Sequence, residues 1–375
     1  SYDTGGTTSK GALIRDGTLA KSYEMETAQV YEFKKGSGLV VRAPVVDMIE
    51  IGAGGGSISE VDDRGLLRVG PRSSGADPGP ACYAQGGSAP TLTDADLILG
   101  YLDSEFFLGG AMTLDRQAAE CSIEKFVGTP LGLDLTAAAW GIHETINENC
   151  ARAFRMHAAE RMVDYRNCSM VAFGGSAPIR AVRIARKLKI PSVIVPLGAG
   201  VFSAFGLLIS PSSFDLLRSN RVLLEDLSPN DFREEFASLA NEALTFLTRA
   251  GLEDTEVHLT RRLDMRYEGQ GFEVEVELPD SNELDDIFDH LPEIFSEKYA
   301  QVFSMSFIEQ PVEIVNWKVE AKGPNPELSE VSLYSNTNIS ASKQKGHRMA
   351  YFPEHASYTE CPVYNRYMLQ PDDEF

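Results

Sequence analysis

Asp3-Thr4-Gly5-Gly6-Thr7-Thr8 is the first segment whose residue types could do chemistry. Gly5 and Gly6 let backbone amides approach a polyanion with no Cβ in the way, and Thr7 and Thr8 add hydroxyls that can cradle phosphate oxygens. Asp3, a carboxylate beside such a loop, can hold Mg2+ directly or through water, or orient an attacking group. A plain hairpin turn is the competing reading of the same residues. A second run, Gly52-Ala53-Gly54-Gly55-Gly56-Ser57, follows a β-branched stretch. Each glycine costs roughly 0.5–1 kcal/mol relative to alanine, a cost best explained where something must approach the backbone closely. A flexible connector is the alternative there. The third motif, Gly174-Gly175-Ser176-Ala177, lies between an apolar run and a helical pattern. A helix N-terminus there supplies free amides and partial positive charge; a tight strand-to-helix turn is the simpler alternative.

Other chemistries find little support. The six histidines are isolated, His143 and His157 lie fourteen positions apart, and no HxxxH or HExxH occurs, which argues against a zinc cage. Neither a GxSxG elbow nor a GxxxxGK[ST] loop is present. The five cysteines are scattered without a CxxC pair, so a disulfide framework is not expected and a reducing cytoplasm is. Lys10 could touch a phosphate, but a lysine opening a strand is more simply solvated.

The elements that must position these turns follow from composition and period. The sequence has 375 residues, 43% hydrophobic and 24% charged, enough for two or three globular domains. Fifty-five acidic residues against 34 basic ones give a net charge of −21, which argues against nucleic acid or an anionic membrane as a general partner. No apolar run approaches the roughly 18 residues of a membrane span, and no basic-then-apolar leader opens the sequence. Short strands and tight loops are expected up to about residue 110, with a hairpin at Asp16-Gly17 and one β-branched run from Val40 to Ile51. Helices are expected over Leu114–Val127 and Leu135–Arg161. A strand Ser169–Phe173, the glycine turn, a helix Pro178–Lys189 and a strand Ser192–Pro196 form a βαβ unit. Ser228-Pro229 opens a helix to Ala250. Glu256–Leu278 reads as a hairpin around Gly269-Gln270-Gly271, followed by a helix Leu284–Tyr299 and a strand Val312–Val319. Ser329–Lys345 reads as a polar linker.

Longer blocks carry a resemblance. Ile49 to Ser57, Val69-Gly-Pro-Arg-Ser-Ser-Gly-Ala-Asp-Pro-Gly-Pro-Ala-Cys-Tyr83, Pro90-Thr-Leu-Thr-Asp-Ala-Asp96, Phe173-Gly-Gly-Ser-Ala-Pro178 and Val195 to Gly206 resemble the signature of the hydantoinase A/5-oxoprolinase family. Arg266-Tyr-Glu-Gly-Gln270 and Pro362-Val-Tyr-Asn-Arg366 are similar to its C-terminal blocks.

The resemblance implies an α/β fold: half of a sugar-kinase/actin/Hsp70-type (ribonuclease H-like) nucleotide-binding fold with an additional α+β C-terminal region. The implied domains are 1–220 as a second lobe, 221–325 as an α+β domain, and 326–375 as a linker and the start of a β segment. The implied cofactors are ATP and Mg2+. Asp3 (catalytic and metal-holding), Gly5, Gly6, Thr7 and Thr8 match the second phosphate loop, Gly174, Gly175 and Ser176 the adenosine loop, and Gly54, Gly55, Gly56 and Ser57 a glycine loop near the phosphates. Asp77, Asp94 and Asp96 lie in matching blocks and could equally be turn or cap residues. The implied partners are a hydantoinase B-type subunit, a small-molecule carbonyl substrate, and a preceding N-terminal lobe carried on the same or a separate polypeptide. The implied reaction is phosphorylation of a carbonyl oxygen to drive hydrolysis of a cyclic amide. A subunit of an ATP-dependent ketone carboxylase and a non-catalytic nucleotide-binding scaffold are the alternatives.

Overall fold

The computed structural model describes residues 1–15, 17–27, 36–253, 256–280, 284–304, 310–326, 343–370 and 373–374. The chain divides into two compact units, Ser1–Phe205 with Glu330–Phe375, and Gly206–Ser329. The division near residue 205 differs from the expected boundary at 220, and the expected separate segment from 326 groups with the first unit. The polar stretch Ser329–Lys345 lies outside the described residues up to position 342. No helix among the described residues is long and apolar enough to cross a membrane.

The first unit is built on a five-stranded sheet in the order Ser192–Ile194, Ser169–Phe173, Tyr2–Thr4, Ser9–Ala12, Met48–Ile51. Tyr2–Thr4 pairs in parallel with Ser169–Phe173 and antiparallel with Ser9–Ala12. The expected βαβ unit is therefore present, its helix Ala177–Leu188 joining two parallel strands. The helix Leu135–Glu160 begins where Asp134 accepts a hydrogen bond from the Ala137 amide. Its Ile142, Ile146 and Ala153 join Tyr2, Met170, Ala172, Ala181 and Ile184 in one buried core.

Two readings change in this unit. The run Val40–Ile51 splits at Asp47 into Leu39–Val46, paired with Lys21–Thr27, and Met48–Ile51, paired with Ser9–Ala12. Asp47 instead holds Arg161 at the end of the long helix. The helix expected from Leu114 begins at Arg116, capped by Asp115, and loosens into a π turn at Glu124–Gly128. Ile14↔Leu19 and Arg15↔Thr18 pair as a hairpin should, although Asp16 of its turn is outside the described residues. The C-terminal hairpin Gln344–Phe352/Ser357–Tyr364 is anchored by Tyr351, whose amide donates to the Leu99 carbonyl at 2.9 Å and whose carbonyl accepts from the Tyr101 hydroxyl at 2.7 Å.

The second unit is a four-stranded antiparallel sheet in the order Ser213–Leu223, Val312–Lys322, His258–Tyr267, Val274–Glu277. Alternate side chains divide its faces. Leu263, Met265, Ile314, Trp317 and Val319 pack with Phe232, Phe236 and Phe295 of the helices in a second core. Lys318, only 5% exposed, points the other way, between Asp264 at 2.6 Å and Glu275 at 2.7 Å. Ser228 caps the helix Pro229–Arg249 as its sequence suggests. The helix expected over Leu284–Tyr299 is two helices, Leu284–Asp289 and Leu291–Phe303, with Pro292 in the first turn of the second. Ser213–Leu223 gave no sequence signal, because Asp215, Arg218 and Arg221 interrupt the alternation.

Candidate functional site

Gly5–Thr8 is the turn between the two central strands, which pair at Asp3↔Lys10 and Thr4↔Ser9. It is closed by the Gly5 amide donating to the Thr8 carbonyl at 3.4 Å. Its base is fixed from below: the buried Thr4 hydroxyl donates to Ser9 Oγ at 2.8 Å, and Ser9 donates to the Ala53 carbonyl at 2.7 Å. Its rim is open. Gly6 and Thr7 are exposed, the amides of Gly6, Thr7 and Thr8 have no acceptor among the described residues, and the space beside Gly5 and Gly6 is empty to 4 Å.

Gly54–Ser57 lies directly beneath and is wholly buried. Gly55 and Gly56 donate to the carbonyls of Gly5 and Gly6 at 3.0 and 2.7 Å. The Gly54 amide donates to Ser57 Oγ at 2.9 Å, and the Ser57 amide returns to the Gly54 carbonyl at 3.0 Å. A Cβ on Gly54 would stand 2.5 Å from the Thr7 nitrogen. All four amides of this run are thus committed within the protein. Gly54, Gly55, Gly56 and Ser57, expected as a glycine loop near the phosphates, therefore lie under the Gly5-Gly6 turn, where their glycines make room for it and hold it. Thr93, in the helix Leu92–Ile98, fixes this inner loop in turn, its amide and hydroxyl reaching the Gly55 carbonyl at 2.8 and 2.9 Å.

Gly174–Ser176 completes the cluster from the neighbouring strand. Gly174 has φ +89°, and a Cβ there would lie 2.5 Å from both Asp3 Oδ1 and the Thr4 carbonyl. Its amide donates to the Ala199 carbonyl at 2.7 Å, while the Ser176 amide donates to the Thr4 carbonyl at 2.9 Å. Gly175 is exposed, with empty space beside it and no acceptor for its amide among the described residues. Asp3 sits between the two turns, partly exposed, its Oδ2 accepting from the Ser203 hydroxyl at 3.0 Å. Asp3, Gly5–Thr8 and Gly174–Ser176 therefore meet at one mouth.

The other acidic candidates behave differently. Asp94 closes a capping box with Thr91 and also accepts from the Cys82 amide at 2.7 Å, a structural role. Asp77 is exposed in a turn. Asp96 is buried, with Oδ1 at 2.7 Å from His143 Nδ1 and Oδ2 at 3.7 Å from Arg180. Arg180, fully buried, donates to Ser176 Oγ at 2.8 Å and to the Tyr2 hydroxyl at 3.5 Å. Burial, only partly offset by Arg180, pushes the Tyr2 hydroxyl up to about 12. Sequence reasoning missed Arg180, His143, Thr93 and Ser203. A signal existed for Arg180, which falls on the same helical stripe as Ala177, Ala181, Ile184 and Leu188. Lys10 pairs across the sheet with Glu50 at 3.7 Å.

Among the described residues no group of three His, Cys, Asp or Glu side chains could cage a metal ion. A single carboxylate beside unpaired amides fits Mg2+ that keeps its waters and shares phosphate oxygens. The unpaired amides of two glycine turns fit a phosphate chain.

Residues 1–215 match the hydantoinase/oxoprolinase family, and residues 228–375 match the hydantoinase/oxoprolinase C-terminal domain. The chain is 33% identical over 364 residues to caprolactamase subunit alpha of Pseudomonas jessenii, a match covering 96% of this chain and 52% of that one. It is 31% identical over 345 residues to the acetophenone carboxylase gamma subunit of Aromatoleum aromaticum, covering 88% of this chain and 46% of that one. The nucleotide-free structure of acetone carboxylase, an ATP-dependent enzyme, superposes with a TM-score of 0.75 at 25% identity, over 99% of this chain and 52% of that one. The chain spans about half the length of the curated relatives it matches. Matches running through both units, with the glycine turns inside the first of them, establish that the chain belongs to the hydantoinase/oxoprolinase family.

Proposed function

We propose that this chain supplies the phosphate- and adenosine-binding turns of an ATP-dependent enzyme that hydrolyses a cyclic amide of hydantoin, oxoproline or lactam type. The observation that carries the reading is the meeting of two glycine turns with unpaired amides, Gly5–Thr8 and Gly174–Ser176, on either side of Asp3. Three antiparallel strands followed by two parallel ones, in this order, support the sugar-kinase/actin/Hsp70-type half-fold.

When bound, ATP with Mg2+ supplies the phosphoryl group that turns a resonance-stabilised carbonyl oxygen into a leaving group. Such transfer needs chiefly positioning and charge neutralisation. In this reading the amides of Gly6, Thr7 and Thr8 bind phosphate oxygens, and the Thr7 and Thr8 hydroxyls add donors. Asp3 holds Mg2+, its carboxylate oriented by Ser203. Gly175 and Ser176 line the adenosine side. A B-type partner subunit and a small carbonyl substrate complete the reaction; the subunit names of the relatives support an assembly of this kind. A second reading, a ketone carboxylase subunit, is favoured by the likeness to acetone carboxylase.

Phosphate release by the assembled enzyme separates the two. Stimulation by lactams or hydantoins supports the first, and stimulation that requires both a ketone and bicarbonate supports the second. Asp3→Asn lowers turnover by about 10²–10³ in either case. An unchanged rate removes Asp3 from the site.

A further inference from the structure

We infer that Arg180 is a positioning residue that ties the Gly174–Ser176 turn to the strand carrying Asp3 and so sets that turn for the bound nucleotide. This rests on the nucleotide reading given above.

The geometry begins with what Ser176 does not do. It stands at the N-cap of Ala177–Leu188, yet its side chain makes no cap hydrogen bond, whereas Thr91, Asp115, Asp134 and Ser228 all cap their helices. An N-cap serine ordinarily accepts from an amide of the first turn. Here the oxygen accepts from Arg180 Nη1 at 2.8 Å instead. A guanidinium is always charged and can only donate. Ser176 Oγ is therefore held as an acceptor by Arg180, and the hydroxyl anchors the turn instead of capping the helix. The Cβ position of Gly55 lies 3.5 Å from that oxygen, an ordinary contact distance, so the hydroxyl sits against the buried inner loop.

Arg180 is an expensive way to hold one serine. It is 0% exposed, its nearest carboxylate oxygen is 3.7 Å away, and its Nε has no partner. A buried charge so loosely compensated adds little stability, and a well-packed apolar residue would serve the fold as well. What it does provide is a link between motifs. Its Nη2 reaches the hydroxyl of Tyr2, the residue before Asp3. Asp96 opposite it is steered by His143, which stacks on Trp140 with ring centroids 5.4 Å apart. One planar fork thus ties the adenosine turn to the strand that carries the phosphate turn, a task a point charge on a flexible stem performs less well.

The test uses the assembled enzyme, with ATP as the varied substrate and thermal unfolding of each variant as a parallel readout. Ser176→Ala and Arg180→Met should each lower kcat/KM for ATP by about tenfold, mainly through KM. The double variant should be no worse than the poorer single one, because both break the same link. Arg180→Lys, which keeps a charged donor, should recover part of the loss. Multiplying losses in the double variant, or a KM for ATP indifferent to both residues, overturns the inference. If Arg180→Met does not fold, Ser176→Ala and Arg180→Lys decide it on the same criteria. Turnover by the unaltered enzyme that does not depend on ATP would instead overturn the nucleotide reading beneath it.

Discussion

Two glycine runs of nearly the same composition end in opposite conditions. Gly5-Gly6 lies at the rim, with empty space where side chains would be and amides in its turn left unpaired among the described residues. Gly54-Gly55-Gly56 is buried beneath it, and each of its amides donates within the protein. Glycine in the outer run keeps a surface bare. In the inner run it permits one backbone to touch another. The two are layers of one device, because the inner amides grip the outer carbonyls and leave the outer amides facing away. A glycine-rich motif is therefore not by itself a ligand contact; the fate of its amides decides.

The sharpest way to break that distinction is to add methyl groups. Gly174→Ala should cost most. It forces a left-handed φ of +89° on a residue with a Cβ and drives that Cβ to 2.5 Å from Asp3 Oδ1 and the Thr4 carbonyl. The conformational cost of about 1–2 kcal/mol adds to an overpacking cost of about 1–3 kcal/mol, so denaturant unfolding should show a loss near 4 kcal/mol. Gly54→Ala comes next, at about 3 kcal/mol, because the atoms it meets are the backbone of Gly6 and Thr7, with no flexible side chain to yield. ATP-dependent turnover should fall with it, although Gly54 touches no ligand in this reading. A Gly54→Ala protein within 0.5 kcal/mol of the parent would sink the layered arrangement.

How far this was legible in the sequence depends on the range of each interaction. Elements set by local chemistry were readable: Ser169–Phe173, the helix Leu135–Glu160 and the Ser228 cap stand within a residue or two of expectation. Asp3, Gly5–Thr8 and Gly174–Ser176 were identified and do come together. What could not be read was direction. Nothing in Gly54-Gly55-Gly56 says that its amides turn toward Gly5 and Gly6, because that partnership spans about fifty residues of chain. His143 looked isolated for the same reason, its partner Asp96 lying 47 positions away. Ser213–Leu223 escaped because its stability comes from pairing with Val312–Lys322, not from its own pattern.

A smaller perturbation sharpens the comparison from the inner side. Thr93 donates twice to the Gly55 carbonyl, by amide and by hydroxyl. Thr93→Val removes only the second bond and leaves the carbonyl satisfied, so the expected loss is about 1 kcal/mol. The KM for ATP should rise only modestly if the inner loop acts through position alone. A loss of turnover as deep as that of Asp3→Asn, in a protein of near-parent stability, would place Thr93 in direct contact with the ligand instead.

The smallest effect on the fold is expected at the rim, and it discriminates most. Gly6 does not occupy the left-handed region, and a methyl group there meets nothing within 4 Å. Gly6→Ala should therefore change stability by less than about 0.5 kcal/mol, as exposed substitutions generally do. Yet the space it fills is where phosphate oxygens would lie against the Gly6, Thr7 and Thr8 amides, so KM for ATP should rise by about tenfold or more. A stable Gly6→Ala enzyme with unaltered ATP dependence would return Gly5–Thr8 to the status of an ordinary hairpin turn. A protein destabilised as severely as Gly54→Ala would show that the outer run, too, is packed against its own chain.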